Sequence, residues 1–157
     1  MLVRGTMKGD QLVGPFAGGA GVFATFPAHD NLLGNLFSEF LGTAVLLFGA
    51  RALTDPRNAG RPGYFGPAAI GALVWAIGLS LGGLTGYAIN PARDLGPRLV
   101  AFATGWGTSV FESHEYYFWV PILAPLVGGV AGAWLYDLTI GRGVAAIAGQ
   151  EGATDGA

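Results

Sequence analysis

Three long apolar stretches divide the chain, and each has about the length that a membrane crossing requires, roughly 20 residues. They cover residues 32–53, 64–85 and 116–137. No charged residue lies between Arg61 and Arg93, so the second stretch is uncharged throughout. The third has Tyr116 at its start and Tyr136 near its end, and aromatic side chains are enriched at membrane–water interfaces. The pattern predicts three transmembrane helices.

Small residues recur at four-residue intervals inside these stretches, a spacing that lets two helix backbones approach closely in a membrane. The first stretch contains one such row, the second another, and the third a pair: Gly34, Ser38, Gly42; Gly78, Gly82, Gly86; Gly128, Gly132. We therefore expect the helices to pack on one another through their glycines.

The connecting segments orient the helices. The end of the first stretch and the loop after it carry three basic residues, Arg51, Arg57 and Arg61. The loop before the third stretch contains Glu112 and Glu115 and no Lys or Arg. Short basic loops face the cytoplasm. We predict that residues 1–31, whose glycines and Pro15 interrupt any periodicity, form an extracytoplasmic loop segment. Residues 143–157 are predicted to form a flexible cytoplasmic tail.

Composition supports a multi-pass protein of the cell (plasma or inner) membrane. Of the 157 residues, 52% are hydrophobic and only 11% are charged, whereas about a quarter are charged in an ordinary soluble domain. The net charge of −2 gives no reason to expect a nucleic-acid partner. There is no cysteine, and the two histidines stand far apart, so no metal site is predicted.

One polar segment does not fit the three-helix pattern. The sequence from Gly86 to Arg98 reads GYAINPARDLGPR and follows directly on an uncharged stretch. Asn90 is a favourable N-cap and Pro91 fits the first helical position, so a helix is predicted over residues 90–103. Such a helix is about 20 Å long, too short for a hydrocarbon core of roughly 30 Å. Because the helices on either side both contact the outer surface, the segment is expected to enter the membrane and return.

Arg93 is the most informative residue of this segment. An arginine in the first turn of a helix opposes the helix dipole, and it is costly at membrane depth. Asn90, Arg93, Asp94 and Pro97 follow the spacing of one helix face. Together they could offer hydrogen-bond donors to a neutral solute in a narrow passage and repel cations. The same residues also fit a loop among the lipid headgroups, with Arg93 paired locally.

The sequence GYAINPARDLGP, followed by GWG, resembles the second Asn-Pro-Ala signature of the aquaporin (major intrinsic protein) superfamily. Asp94 and Arg98 resemble its glycerol-facilitator branch, and family-like motifs continue in order from Phe23 to Arg142. The resemblance implies an all-α membrane protein. The family's pattern predicts three transmembrane helices and one re-entrant half-helix for this chain, which together make one inverted repeat of the aquaporin fold.

The resemblance also implies roles for individual residues. Asn90 would present its amide to the solute, Arg93 would belong to the aromatic/arginine constriction, and Tyr87 and Gly78 would be further filter positions. Gly78, lacking a side chain, would leave room for a polyol. Backbone carbonyls would line the passage at Gly86, Tyr87 and Ala88, and the half-helix would begin with Pro91, Ala92 and Asp94.

Glu39 lies inside the first predicted helix, where a carboxylate is expensive and usually functional. By resemblance it would accept hydrogen bonds from backbone N–H groups of the re-entrant segment and support it. The alternative is a Glu near the outer interface whose side chain extends to water.

The predicted function is a passive channel for glycerol, other polyols and water, without a cofactor and without enzymatic activity. Ser113, His114 and Glu115 contain the residue types of a hydrolase triad, but sequence neighbours cannot face one another as a triad requires. A water-selective aquaporin, a non-conducting membrane interaction protein and half of a split channel are alternatives. Since the resemblance covers only the second half of a facilitator, we expect a fragment of a longer chain, which as a whole would form a homotetramer in the lipid bilayer.

Overall fold

The computed structural model describes residues 19–58 and 60–147, together with the backbone of residues 6–8 and 11–13. Within these ranges it contains three long apolar helices and one short helix, as predicted. They are α1 (Leu32–Thr54), α2 (Gly66–Thr85), α3 (Pro91–Ala101) and α5 (Val120–Tyr136), with the irregular α4 (Ser109–Tyr116) before the last.

The N-terminal segment contains local structure that the sequence analysis read as loop. Strands β1 (Thr6–Lys8) and β2 (Gln11–Val13) pair antiparallel, with Met7 opposite Leu12. A 3-10 turn follows at Gly19–Val22. Strands of three residues are too short to show a clear alternation of apolar and polar positions, so the sequence pattern does not reveal them.

Three helical stretches are long and apolar enough to cross a membrane. They span Leu32–Thr54, Gly63–Thr85 and Ser109–Ile147. The second gains its first turn from a 3-10 segment, Gly63–Phe65. The third continues past α5 through a wide turn at Asp137–Gly141 and remains helical to residue 147, so the predicted flexible tail begins as helix. Its remaining residues, 148–157, lie outside the described part of the chain.

Glycines bring α5 directly against the backbone of α1. A Cβ atom added at Gly128 would overlap the carbonyl oxygen of Phe40, and one at Gly132 would overlap that of Ala44. Because the contacts advance in the same direction on both helices, α1 and α5 run parallel. The predicted glycine pair of the third stretch therefore forms a close helix contact, of the kind that small residues permit in membranes.

Helix α2 packs antiparallel on another side of α1. Gly42 lies against Ile77, and Gly49 lies against Leu73, so the partner's residue numbers fall as those of α1 rise. The Ser38 hydroxyl also donates a hydrogen bond to the Leu81 carbonyl oxygen at 3.4 Å. Many large apolar side chains on the outer faces remain exposed, including Trp75 at 70%, as expected for helices that lie among lipids or other membrane helices.

Helix α3 is too short to cross a bilayer. Its 11 residues correspond to a length of about 16 Å. A wide turn at Phe102–Trp106 follows the helix, and Gly105 interrupts the helical geometry there with φ of 117°, a conformation open mainly to glycine. The predicted bounds of 90–103 therefore include two residues of this turn. The turn and α4 enclose a small apolar core of Ala101, Trp106 and Val110.

A polar cluster joins the loop after α1 to the end of α5. Asp55 accepts hydrogen bonds from the Arg57 Nε at 2.9 Å and from the Tyr136 hydroxyl at 2.8 Å. The Asp55 side chain is almost fully buried, whereas that of Arg57 is 43% exposed. Hydrogen bonding to the Arg57 side chain holds the pKa of the Asp55 carboxyl well below its usual range.

We expect Gly132→Ala to lower the free energy of unfolding by about 1–3 kcal/mol, the usual cost of an added methyl group in a tightly packed contact. The measurement is thermal or denaturant unfolding in detergent. Gly71→Ala is the matched control, because a Cβ atom at Gly71 meets nothing within 4 Å. Equal effects of the two substitutions would contradict the close packing of α1 and α5.

We expect the stabilising effect of Asp55 to disappear in acid. Its folded-state pKa is lowered, so its contribution is present above the ordinary carboxyl pKa of about 4 and is lost as the pH falls below that value. The difference in unfolding free energy between the parent and Asp55→Asn should therefore narrow below about pH 4. Asn58→Ala removes two loop hydrogen bonds, to the Ala52 carbonyl oxygen and from the Gly60 N–H, without removing a titrating group. Its difference from the parent should not depend on pH in this range.

Candidate functional site

The segment between α2 and α3 has an unusual backbone. Gly86 ends α2 with φ of 76°, and the non-glycine residues Tyr87 and Ile89 have φ of 42° and 43°. Left-handed conformations of non-glycine residues cost on the order of 1–3 kcal/mol each and persist only where neighbouring groups enforce them. The groups that enforce this conformation should therefore be part of the site.

Glu39 of α1 is one such group. Its carboxylate accepts hydrogen bonds from the backbone N–H of Ala88 at 2.9 Å and of Ile89 at 2.6 Å. The Glu39 side chain is fully buried, which excludes the alternative that it extends to water at the outer interface. A buried carboxylate needs hydrogen-bond donors, and two successive peptide groups supply them here.

With their N–H groups turned to Glu39, these peptides leave carbonyl oxygens unused. In the described part of the chain, no hydrogen bond outside helices and strands is accepted by the carbonyl oxygens of Gly86, Tyr87 or Ala88. The segment thus offers a short row of acceptors next to the start of α3.

Asn90 caps the start of α3. Its Oδ1 accepts hydrogen bonds from the N–H of Ala92 at 2.9 Å and of Arg93 at 3.3 Å. This arrangement leaves Nδ2 without an acceptor among the described residues, and the side chain is exposed. Pro91 occupies the first turn, as predicted from the sequence. An amide donor therefore projects from the positive end of the α3 dipole.

Arg93 adds a cation to the same end of the helix. Its side chain is exposed, and no carboxylate lies within 4.0 Å of its guanidinium in the described ranges 19–58 and 60–147. A local ion pair with Asp94 is therefore absent from this part of the structure. The arginine is free to bind an acceptor group from elsewhere.

Asp94 does not share a face with Asn90 and Arg93, contrary to the one-face interpretation of the sequence. It is completely buried and accepts hydrogen bonds from the Thr25 N–H at 2.7 Å and the Thr25 hydroxyl at 2.6 Å. It also pairs with Arg98 Nε at 2.8 Å. The spacing of 0, 3 and 4 spans enough of a helix circumference for Asp94 to turn inwards while Arg93 remains exposed.

Arg98 connects three segments of the chain. Its guanidinium donates to the carbonyl oxygens of Thr25, at 2.6 Å, and of Val110, and it also lies 4.7 Å from the centre of the Phe26 ring. Both members of the Asp94–Arg98 pair are at most 1% exposed. This pair therefore fastens α3 to the segment before α1 and to α4.

The Tyr87 ring lies along α2, over two of its glycines. A Cβ atom at Gly78 would lie 2.8 Å from the Tyr87 Cζ, and one at Gly82 would lie 2.7 Å from the Cδ1. The space beside Gly78, expected to leave room for a polyol, is therefore filled by this ring. Gly78 affects the site by allowing the aromatic ring to lie close to the helix.

Sequence reasoning missed Thr25, Val110 and the role of Gly82. Thr25 lies in a segment that was predicted only as loop, and its contact with Asp94 spans 69 positions of the chain. Gly82 was noted as part of a four-residue row, which predicts helix contacts but not an aromatic partner. His114, also assigned to a loop, pairs with Asp30 at 2.7 Å.

Comparison with known proteins identifies the family. The family model described as Major intrinsic protein matches residues 2–136. The chain belongs to the major intrinsic protein family. The aquaglyceroporins of this family are integral membrane channels and not enzymes, in agreement with the three long apolar helices.

Relatives in the family include aquaglyceroporins and a glycerol facilitator. The chain is 46% identical to Aquaglyceroporin-2 of Rhizophagus irregularis, over 75% of this chain and 38% of that protein. It is 42% identical to the Glycerol uptake facilitator protein of Haemophilus influenzae, over 89% and 52% respectively. The X-ray structure of the aquaglyceroporin from Plasmodium falciparum matches with a TM-score of 0.73 and 33% identity, over 82% and 52%.

The chain thus spans between about two fifths and one half of the length of these relatives. The matching structure agrees with the observed arrangement of three transmembrane helices and one half-helix, and the aquaporin fold is confirmed for this part of the family's architecture.

We expect Asp94→Asn to destabilise the protein by about 3–5 kcal/mol, because it leaves the buried Arg98 guanidinium without its counter-charge. Unfolding in detergent measures the loss. Asp137→Asn is the control, because it breaks an exposed ion pair. In that pair the side chain of Arg51 is 47% exposed and that of Asp137 is 50% exposed. Its effect should stay below about 1 kcal/mol. An effect of Asp94→Asn as small as that of Asp137→Asn would contradict the structural role of the buried pair.

Proposed function

We propose that the chain forms one half of a passive channel for glycerol and similar small uncharged solutes. The observation that carries this proposal is the row of unused carbonyl oxygens at residues 86–88, directly next to the Asn90 amide and the exposed Arg93. The names of the relatives agree with it, since they include aquaglyceroporins and a glycerol facilitator.

The chemistry of these groups suits a polyol. Each hydroxyl of glycerol both donates and accepts hydrogen bonds, so it can donate to a backbone carbonyl oxygen and accept from Asn90 or Arg93. The carbon side of the molecule needs an apolar surface, and the half-exposed Tyr87 ring offers one beside these groups.

The electrostatics of the site favour neutral solutes. The N-terminal end of α3 carries the positive end of the helix dipole, and Arg93 adds a full positive charge there. Glu39 and Asp94 are buried and bound to their own donors, so Arg93 is the full charge that the described site exposes. A proton or metal cation would meet repulsion that glycerol does not.

A passage needs a wall on every side, which three crossing helices and one half-helix do not supply. The chain covers about half of the length of its matched relatives, so a second repeat of the same architecture would complete the wall. We include in the proposal that the complete channel is a homotetramer in the cell membrane, with the segment after α5 on the cytoplasmic side. The loop with Arg51, Arg57 and Arg61 supports that orientation.

Transport through vesicles tests the function. The complete polypeptide that carries this sequence is reconstituted in liposomes, and glycerol and water permeabilities are measured by stopped-flow light scattering. We expect glycerol permeability well above that of empty vesicles. Water flux without glycerol flux would support a water-selective aquaporin, and neither flux would support a non-conducting interaction protein.

We expect Arg93→Ala to raise the leak of protons or small cations through the reconstituted channel. The substitution removes the only full charge that the described site presents at the start of α3. A pH-sensitive dye inside the vesicles measures the leak under an imposed gradient. Arg61→Ala, in the loop before α2, is the control and should leave the leak unchanged. An unchanged leak in Arg93→Ala would contradict the role assigned to this arginine.

A further inference from the structure

We propose that Gly82 determines solute selectivity by leaving room for the Tyr87 ring to lie against α2. Gly82 itself would not touch the solute. This inference rests on the proposed function. It concerns which residues decide the width of the passage beside the aromatic ring.

The main chain of Tyr87 is fixed on both sides. Gly86 before it ends α2 in the left-handed conformation, and Ala88 and Ile89 after it donate to the buried Glu39. The bond from Cα to Cβ of Tyr87 therefore has a defined direction. Any displacement of the ring must come from rotation about the side-chain torsions and not from a movement of the backbone.

The ring lies lengthwise on α2, with its two ends over different glycines. The Cδ1 atom, near the root of the side chain, faces Gly82, and the Cζ atom, which carries the hydroxyl, faces Gly78. A Cβ atom at either position would come closer than 3.0 Å to the ring, at 2.7 Å for Gly82 and 2.8 Å for Gly78. The ring can lie on the helix only while both positions lack a side chain.

A methyl group at residue 82 would press near the pivot of the side chain. Because Cδ1 is much closer to Cβ than the hydroxyl oxygen is, a small shift there swings the hydroxyl end through a larger distance. The α2 backbone blocks movement in the opposite direction, so the ring must swing away from the helix. Tyr87 is 38% exposed, so the ring is not enclosed by the protein and can swing outwards, towards the passage that the proposed function requires.

The consequence is a narrower passage. A molecule as small as water would lose little, whereas a polyol that must slide along the ring face would be obstructed. Gly82→Ala should therefore lower the ratio of glycerol to water permeability on the order of tenfold, the scale of discrimination that one methyl group gives in a fitted site. A longer polyol such as a pentitol should be excluded more strongly than glycerol.

Helix α2 provides matched controls. A Cβ atom at Gly83 or at Gly71 meets nothing within 4 Å, so Gly83→Ala and Gly71→Ala add the same methyl group to the same helix without touching the ring. Both should keep the parental ratio of glycerol to water permeability. A loss of selectivity that is equal in Gly82→Ala and Gly83→Ala would assign the effect to the helix and overturn the proposal.

A double substitution separates the ring from any general effect on folding. In a Tyr87→Ala background the ring is absent, so adding Gly82→Ala should leave the permeability ratio unchanged and should not lower the Tm in detergent, since alanine favours a helix more than glycine does. In the parental background the same change should lower both. If Gly82→Ala acts equally in the two backgrounds, the ring does not transmit its effect and the proposal is wrong.

The two proposals fail in distinguishable ways. A parental channel that conducts glycerol, together with a Gly82→Ala variant of unchanged ratio, overturns the selectivity role and leaves the function intact. A parental protein that conducts no glycerol overturns the proposed function and with it the selectivity role. The Tm measured in the two backgrounds still reports, without any transport, whether the ring rests on Gly82.

Discussion

The site depends on a carboxylate buried inside a transmembrane helix. Glu39 lies where a charge is costly, and it is stable there because two consecutive peptide N–H groups point at its oxygens. The same interaction turns the peptides of residues 86–89 and stabilises two left-handed non-glycine residues. The unused carbonyl oxygens, the direction of Tyr87 and the start of α3 all follow from that turn. A solvated loop could not retain this conformation.

Two further features fix the half-helix around this point. Asn90 caps its N-terminal end. The buried pair of Asp94, in the first turn, and Arg98, in the last turn, holds its other face. Polar groups thus serve opposite purposes on the two sides of α3. On the inner side every charge is paired and hydrogen-bonded, which keeps the helix in place. On the outer side Asn90 and Arg93 keep their donors free, and these donors are the groups available for a solute.

Much of this architecture could be predicted from the sequence because each element has a strong local requirement. A membrane crossing needs a long apolar run, and an Asn-Pro pair favours the start of a helix, so α1, α2, α5 and α3 are visible in the chain. The inward turn of Asp94 and the stacking of Tyr87 on Gly78 and Gly82 were not predictable in this way. The first depends on Thr25, far away in the chain, and the second on a backbone conformation imposed by Glu39.

The Arg98 guanidinium has a consequence for the order in which the protein folds. Its acceptors lie 73 positions earlier, at Thr25, and 12 positions later, at Val110. During synthesis the two crossings α1 and α2 are complete before either the arginine or its later acceptor has emerged from the ribosome. Asp94 and the Thr25 carbonyl oxygen can bind the arginine as soon as it has been made, whereas the bond to α4 cannot form before Val110 has been made. The half-helix is therefore joined to its neighbours in sequence, first to the segment before α1 and only then to α4.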